Sequence, residues 1–168
     1  MTLDLKGSVA DGHIVGDVVI GDGDVINVTE GNTYFTGEIA SNGAGGDLNI
    51  NTGGALWLQH GGTALGGPSV VTVANYNQAS DGTVAIGVDA DDPNSSRIYG
   101  DTVVLGGNMV VQMNAGLYAD SVTYGDIVTS GTAIDTVWDD ISTISPLMIA
   151  EVTYNTNDVD LLLTRVAF

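Results

Sequence analysis

Cysteine is absent from this 168-residue chain. No disulfide can brace the fold, and a chain that travels unfolded into an oxidising compartment escapes being locked into wrong conformers. Basic residues are nearly as scarce: Lys6, Arg97 and Arg165 stand against 21 acidic residues, for a formal net charge of -18. Nucleic-acid binders neutralise phosphates with clustered Lys and Arg, and anionic membranes attract proteins in the same way, so both partners are excluded. The acidity itself reads as solubility and self-repulsion. No apolar run reaches the ~20 residues that span a bilayer. Met1 is not followed by the basic and apolar regions of a signal peptide. If such a chain is secreted, it reads as a fragment of a longer precursor, monomeric on its own.

Against three prolines stand 24 glycines, and hydrophobic residues make up 43%. That apolar content is too high for a disordered acidic tail. Short runs such as Val18-Val19-Ile20, Val25-Ile26-Asn27-Val28, Leu48-Asn49-Ile50, Ala55-Leu56-Trp57-Leu58, Val70-Val71-Thr72-Val73, Val84-Ala85-Ile86, Val103-Val104-Leu105 and Met109-Val110-Val111 read as strands. Turn signals separate them, among them Gly21-Asp22-Gly23-Asp24, Asn42-Gly43, Gly66-Gly67-Pro68, Asp81-Gly82 and Gly106-Gly107. No window forms a convincing amphipathic helix; Asp135 to Ile144 reads as loop and strand.

One partial repeat stands out: Tyr99-Gly100-Asp101-Thr102-Val103 returns as Tyr124-Gly125-Asp126-Ile127-Val128, with a weaker echo at Gly16 to Gly21. Its spacing suits the coil of a parallel β-helix, and the tight corners favour that fold over an antiparallel sandwich. The expected architecture is all-β: a parallel β-helix of ~7 coils of ~20 residues, roughly 35 Å long. A C-terminal β-hairpin, Met148 to Tyr154 and Val159 to Val166 with its turn at Asn157-Asp158, is expected to cap one open end.

The second half resembles the C-terminal passenger region of bacterial type V autotransporters, the part called the autochaperone. Asn75-Tyr76-Asn77-Gln78-Ala79-Ser80-Asp81-Gly82-Thr83-Val84 is similar to that family's N-Y-x-Q-x-x-x-G-T-L coil. Ser96 through Val111 is similar to its D-x-L-x-V-x-G-x-A-x-L-G-G-x-L-x-V coil, and Glu151 through Arg165 to its L-x-Y-x-x-N-D-V-x-L-x-L-x-R terminus. Upstream, Gly31-Asn32-Thr33-Tyr34-Phe35-Thr36-Gly37 resembles the N-T-Y-T-G element of autotransporter strand repeats. Ile134 stands where the family carries Phe, and the family's signal peptide and translocator barrel are missing.

The resemblance implies a right-handed, single-stranded parallel β-helix with a C-terminal β-hairpin cap, residues 1-68 as coils of a passenger stalk and 69-168 as autochaperone coils plus cap, continuous in one solenoid. It further implies a cell-surface or secreted location and the chain's own translocator β-barrel as partner. The role it implies is a non-catalytic folding nucleus and membrane-proximal stalk. Host-surface binding or self-association through the coil faces, as an adhesin, is the alternative. The residues expected to carry this role are structural: Tyr99, Val103, Leu105, Val110, Ile127, Tyr154, Val159, Leu161 and Leu163.

Residues with possible chemistry weigh little beside this. His13 and His60 are far apart in sequence, and Ser80-Asp81 has no neighbouring His, so no triad forms. Asp89-Ala90-Asp91-Asp92-Pro93-Asn94 has oxygen ligands for calcium but lacks the repeat of calcium-loaded β-rolls, as does Gly21 to Asp24. Polysaccharide lyases share the fold, yet only Arg97 lies near an acidic cluster and the net charge repels polyuronates. Tyr34 and Trp57 are aromatics that could stack on sugars. No enzyme activity, cofactor or metal is therefore expected. An aromatic or apolar stripe on one coil face would favour adhesion.

Overall fold

The computed structural model describes residues 1–7, 11–43, 45–61 and 66–167. Among them there is no helix, and fifteen strands join one sheet system. In chain order these begin with β1 (Thr2–Lys6), β2 (Gly12–Val15), β3 (Val18–Gly21), β4 (Val25–Thr36), β5 (Glu38–Asn42), β6 (Asp47–Ile50), β7 (Gly54–Leu58) and β8 (Val70–Gln78). They continue with β9 (Thr83–Val88), β10 (Arg97–Val104), β11 (Asn108–Met113), β12 (Ser121–Ser130), β13 (Asp140–Thr143), β14 (Met148–Tyr154) and β15 (Asp158–Arg165).

The strands stack in parallel as a three-faced solenoid. One face runs β1, the first half of β4, β6, and the second halves of β8 and β10. The next runs β2, the second half of β4, β7, β9, β11 and β13. The third runs β3, β5, and the first halves of β8 and β10, then the end of β12. Pairing crosses residue 68 without a break, because β8 stacks on both β5 and β6.

Coil length follows from the register. Leu3 lies beside Ile26, Ile26 beside Leu48, Leu48 beside Tyr76 and Tyr76 beside Val103, steps of 23, 22, 28 and 27 residues. There are thus about four turns, not seven, and the stacked rungs span roughly 20 Å. The later coils are longer because more residues separate their strands, from Leu58 to Val70 after β7 and from Val88 to Arg97 after β9. The 25-residue repeat does not mark the coil either. Val128 lies beside Ile98, and Tyr99 pairs with Thr129 rather than with Tyr124.

Period-two alternation decides what is inside. Ile26, Val28, Leu48, Ile50, Leu56, Leu58, Val71, Ile98, Met109 and Val111 form columns with almost no solvent contact. Removing such aliphatic surface from water is what holds the coils together. Corners demand glycine where backbones meet. At Gly107, φ is 58°, and a Cβ would stand 2.2 Å from the Gly82 carbonyl oxygen. Gly107→Ala is expected to lower stability by about 2 kcal/mol or more, from left-handed strain plus overlap with backbone that cannot retreat. Urea unfolding checks it; an unchanged midpoint would mean the corner is slack.

The C-terminal segment departs from the parallel pattern. β14 and β15 form an antiparallel hairpin, and β15 also pairs antiparallel with β12. Its turn is Asn155 to Asn157, closed by Asn155 N–H donating to the Asp158 carbonyl at 2.9 Å. Of the expected Asn157-Asp158 turn, Asn157 lies in it and donates its side chain to the Ser130 carbonyl at 3.2 Å, while Asp158 already begins β15. β12 carries a bulge between Tyr124 and Val128, where Asp126 adopts φ 54° and donates its N–H to Asp160 Oδ1 at 2.9 Å.

Candidate functional site

The C-terminal end gathers most of the residues singled out from the sequence. Val159, Leu161 and Leu163 alternate inward along β15 and have no exposed surface. Leu161 stands between Tyr124 and Val152, and Leu163 between Val122 and Ala150. Ile127, Val103 and Leu105 are buried with them. Tyr154 is half-buried; its hydroxyl accepts the Trp138 N–H at 3.1 Å. Two residues fall outside this group. Val110 lies between Ala85 and Ser142 on an outer face, because Met109 and Val111 take the inward positions. Tyr99 is also outward and half-buried, and accepts from Arg97 at 3.2 Å.

A residue the motifs did not single out completes the site. Residues 131–139 cross from β12 to β13 without regular structure and deliver Trp138 to the core, 4% exposed. Its Nε1 donates to Gln78 Oε1 at 2.9 Å, and the Tyr76 hydroxyl donates to the same oxygen at 2.9 Å. Gln78 Nε2 donates in turn to the Gly82 and Asn108 carbonyls at 3.1 and 3.0 Å. Every polar atom of the buried carboxamide is thereby satisfied, the condition under which a polar group is tolerated in a core. The Tyr76-x-Gln78 element thus couples the fourth rung to the closing segment. Asp139 fixes that segment from outside by accepting the Gly107 N–H at 2.9 Å.

Tyrosines near this end are strongly perturbed. Burial pushes the Tyr76 hydroxyl far up, and burial followed by the Asp89 carboxylate pushes Tyr124 up to about 12. Both phenols are neutral in either state below pH 10. Above it the unfolded chain ionises and the native one does not, so stability falls with rising pH by about 1.4 kcal/mol per unit for each buried phenol. For Tyr124 the loss levels off near pH 12. The melting temperature is therefore expected to fall steeply between pH 10 and 12, with the phenolate absorbance of Tyr76 and Tyr124 appearing only on unfolding. Titration of all six tyrosines near pH 10 in a folded chain would contradict the burial.

The acidic stretch after β9 is bound up in its own loop. Asp89 Oδ2 accepts from Asn114 at 2.8 Å and Oδ1 from the Asp91 N–H at 2.9 Å. Asp92 Oδ1 accepts the Asn94 N–H at 2.8 Å, and Oδ2 stands 3.3 Å from Nε2 of the buried His60. Chiefly the Asn114 amide for Asp89, and the Asn94 N–H for Asp92, hold these carboxyls below the usual range. Arg97 donates to Asn94, Tyr99 and Ser95 rather than to a carboxylate. At the other expected acidic turn, Asp24 accepts the Gly21 N–H at 2.9 Å and pairs with the Met1 amine.

The set of carboxylates best arranged for a cation lies elsewhere. Asp126, Asp158 and Asp160 bring one oxygen each within 4.8 Å of the others around the β12 bulge. They are separated by 32 and 2 positions in sequence, and it is the antiparallel pairing of β15 with β12 that brings them together.

On the outer side of β2, β4 and β7, three rings lie in register. His13 stacks on Tyr34 at 4.8 Å and 11°, and Tyr34 on Trp57 at 5.5 Å and 24°. Tyr34's two faces are covered by its neighbours, which leaves little for a sugar to stack upon. Parallel to them runs an amide ladder: Asn27 donates to Asp4 at 2.9 Å, Asn49 to Asn27 at 3.0 Å and Asn77 to Asn49 at 3.0 Å. Near the hairpin, Met113, Leu117, Tyr118, Ile144, Leu147 and Met148 line an open apolar cleft of about 590 Å³. No protein-family model matches the chain, and no curated protein is detectably similar to it.

Proposed function

We propose that this protein is a non-catalytic stalk and folding nucleus of an autotransporter passenger, with the hairpin as its cap. One observation carries the reading: the two ends of the solenoid are unlike. At the C-terminal end the third face is closed, the edge of β12 being paired by β15, and Trp138, Val159, Leu161 and Leu163 fill the core, while among the described residues β13 and β14 keep one partner strand each. At the other end β1, β2 and β3 are paired on one side only among the described residues, and Leu3, Leu5, Ile14 and Val18 are only partly buried. A solenoid can nucleate at any coil and propagates between neighbours, so an end with more long-range contacts is the favoured starting point. The closed end serves as nucleus, and the open rung receives the coils of the passenger. The translocator barrel is the proposed partner at the closed end, where the apolar cleft gives a surface of the kind that partners cover.

Pulsed hydrogen exchange during refolding tests this order. Protection is expected first in β9 to β12, β14 and β15, and last in β1 to β3. Protection that begins in β1 to β7 would overturn the nucleus reading. The ring stripe of His13, Tyr34 and Trp57 is the observation that favours adhesion instead. Its mutual stacking makes it first of all an internal brace.

A further inference from the structure

Each polar ladder that reaches the first coil ends there in a carboxylate. The amide ladder through Asn77, Asn49 and Asn27 ends at Asp4. A second one ends at Asp11: Trp57 Nε1 donates to Asn32 at 3.0 Å, and Asn32 Nδ2 donates to Asp11 at 3.1 Å. An ionised carboxylate accepts and never donates. Asp4 and Asp11 therefore fix the direction of both ladders, each amide giving its N–H toward the first coil. Within the ladders Asn27, Asn49 and Asn32 each also accept, through the side-chain oxygen, from the coil behind. Asp4 and Asp11 have no N–H to offer a coil on their far side, so a neighbour there must donate to them. The ring column ends in the same coil, at the exposed His13, with Tyr34 on one face and no ring on the other among the described residues.

We propose that the outer edge of the first coil is a selective coil-addition site. Its occupant is a parallel β-coil bearing hydrogen-bond donors over Asp4 and Asp11 and a planar ring over His13. The inference rests on the stalk-and-nucleus reading and adds what that reading leaves open, the side chains that the incoming coil must carry. The main-chain edge and the half-buried Leu3, Leu5, Ile14 and Val18 supply attraction that any β-coil with inward aliphatics can use. The surface is continuous with the interfaces inside the solenoid, where the same columns are already paired. The two carboxylates supply the choice. They accept Asn, Ser, Thr, Lys or Arg and repel Asp or Glu, since like charges directly opposite on neighbouring strands are destabilising.

The chain contains a suitable probe. β4 pairs on one edge with β1 and β2 and on the other with β6 and β7. Its register places Asn27 at Asp4 and Tyr34 at His13, with Asn32 donating to Asp11. A labelled peptide of residues 25–36 is titrated onto the full chain at low salt and followed by anisotropy and by the amide signals of Thr2 to Val15. A second peptide carries Asn27→Asp, Asn32→Asp and Tyr34→Ala. The matched peptide is expected to bind at least about tenfold more tightly, from charge-assisted hydrogen bonds and ring stacking. The exposed-site protein variant Asp4→Ala/Asp11→Ala is expected to abolish that preference. Equal binding of the two peptides would overturn the selectivity and leave coil stacking intact. Binding of neither would overturn both, making the two carboxylates guards of a blocked edge.

Discussion

Leu161→Asp is expected to abolish folding of the C-terminal third and to lower stability by about 5 kcal/mol or more. The side chain has no exposed surface and stands between Tyr124 and Val152 in the middle strand of an antiparallel triplet. Losing the buried leucine costs about 2–5 kcal/mol by itself. The new carboxyl must then be buried charged or held protonated at pH 7, and the latter adds about 4 kcal/mol from a reference pKa near 4. The total rivals the whole stability of a domain of this size. Leu162→Asp, one position along, replaces a half-buried side chain on the opposite side of the strand and is expected to cost about 1 kcal/mol. Guanidinium unfolding of both variants separates buried charge from a general intolerance of the strand. Equal midpoints would remove the hairpin from the core.

The second large effect is expected at Gln78. Gln78→Leu preserves much of the volume but leaves the Tyr76 hydroxyl and Trp138 Nε1 without their shared acceptor, and the Gly82 and Asn108 carbonyls without a donor. Buried groups stranded in this way cost about 1–3 kcal/mol each, so a loss of about 3 kcal/mol or more is expected. The network also predicts non-additivity. Once Trp138→Phe has removed the indole donor, Gln78→Leu should cost less than in the native background, because one stranded group is gone. Chemical unfolding of the two single variants and the double variant measures that coupling. Strict additivity would mean that Gln78 and Trp138 act independently.

The strands were legible because the alternation of apolar and polar residues is carried by each short run alone. Val25-Ile26-Asn27-Val28 needs no partner to declare which side faces inward. The hairpin was legible for the same reason, as Val159, Leu161 and Leu163 alternate without interruption. Coil number was not, because it depends on the length of each connection, and those after β7 and β9 add residues without adding rungs. The Tyr99 and Tyr124 repeat was misleading for a physical cause: the Asp126 bulge shifts β12, so similar words occupy dissimilar places, one outward and one buried. Trp138 was hidden because it lies in an irregular segment beside the exposed Val137, with no alternation to mark the inward side; its hydrogen bond to Gln78, 60 positions away, is what ties the indole inward. The Asp126, Asp158 and Asp160 group was invisible because antiparallel pairing, not spacing, assembles it.

The stacking geometry also sets how the molecule answers to force. The hydrogen bonds between coils lie along the rod, and each is made in short parallel sets at the three faces. Tension applied at Met1 loads only the outermost coil, which peels while the next remains shielded behind it. Each coil of 21 to 32 residues, the steps from Val18 to Ile39 and from Ile39 to Val71, then frees roughly 70–110 Å of chain at its extended reach. Tension applied at Arg165 meets a different object. β15 is held on both sides, by β12 and by β14, so many bonds must shear together before anything yields. One end is a ratchet that lengthens by whole coils, and the other is an anchor.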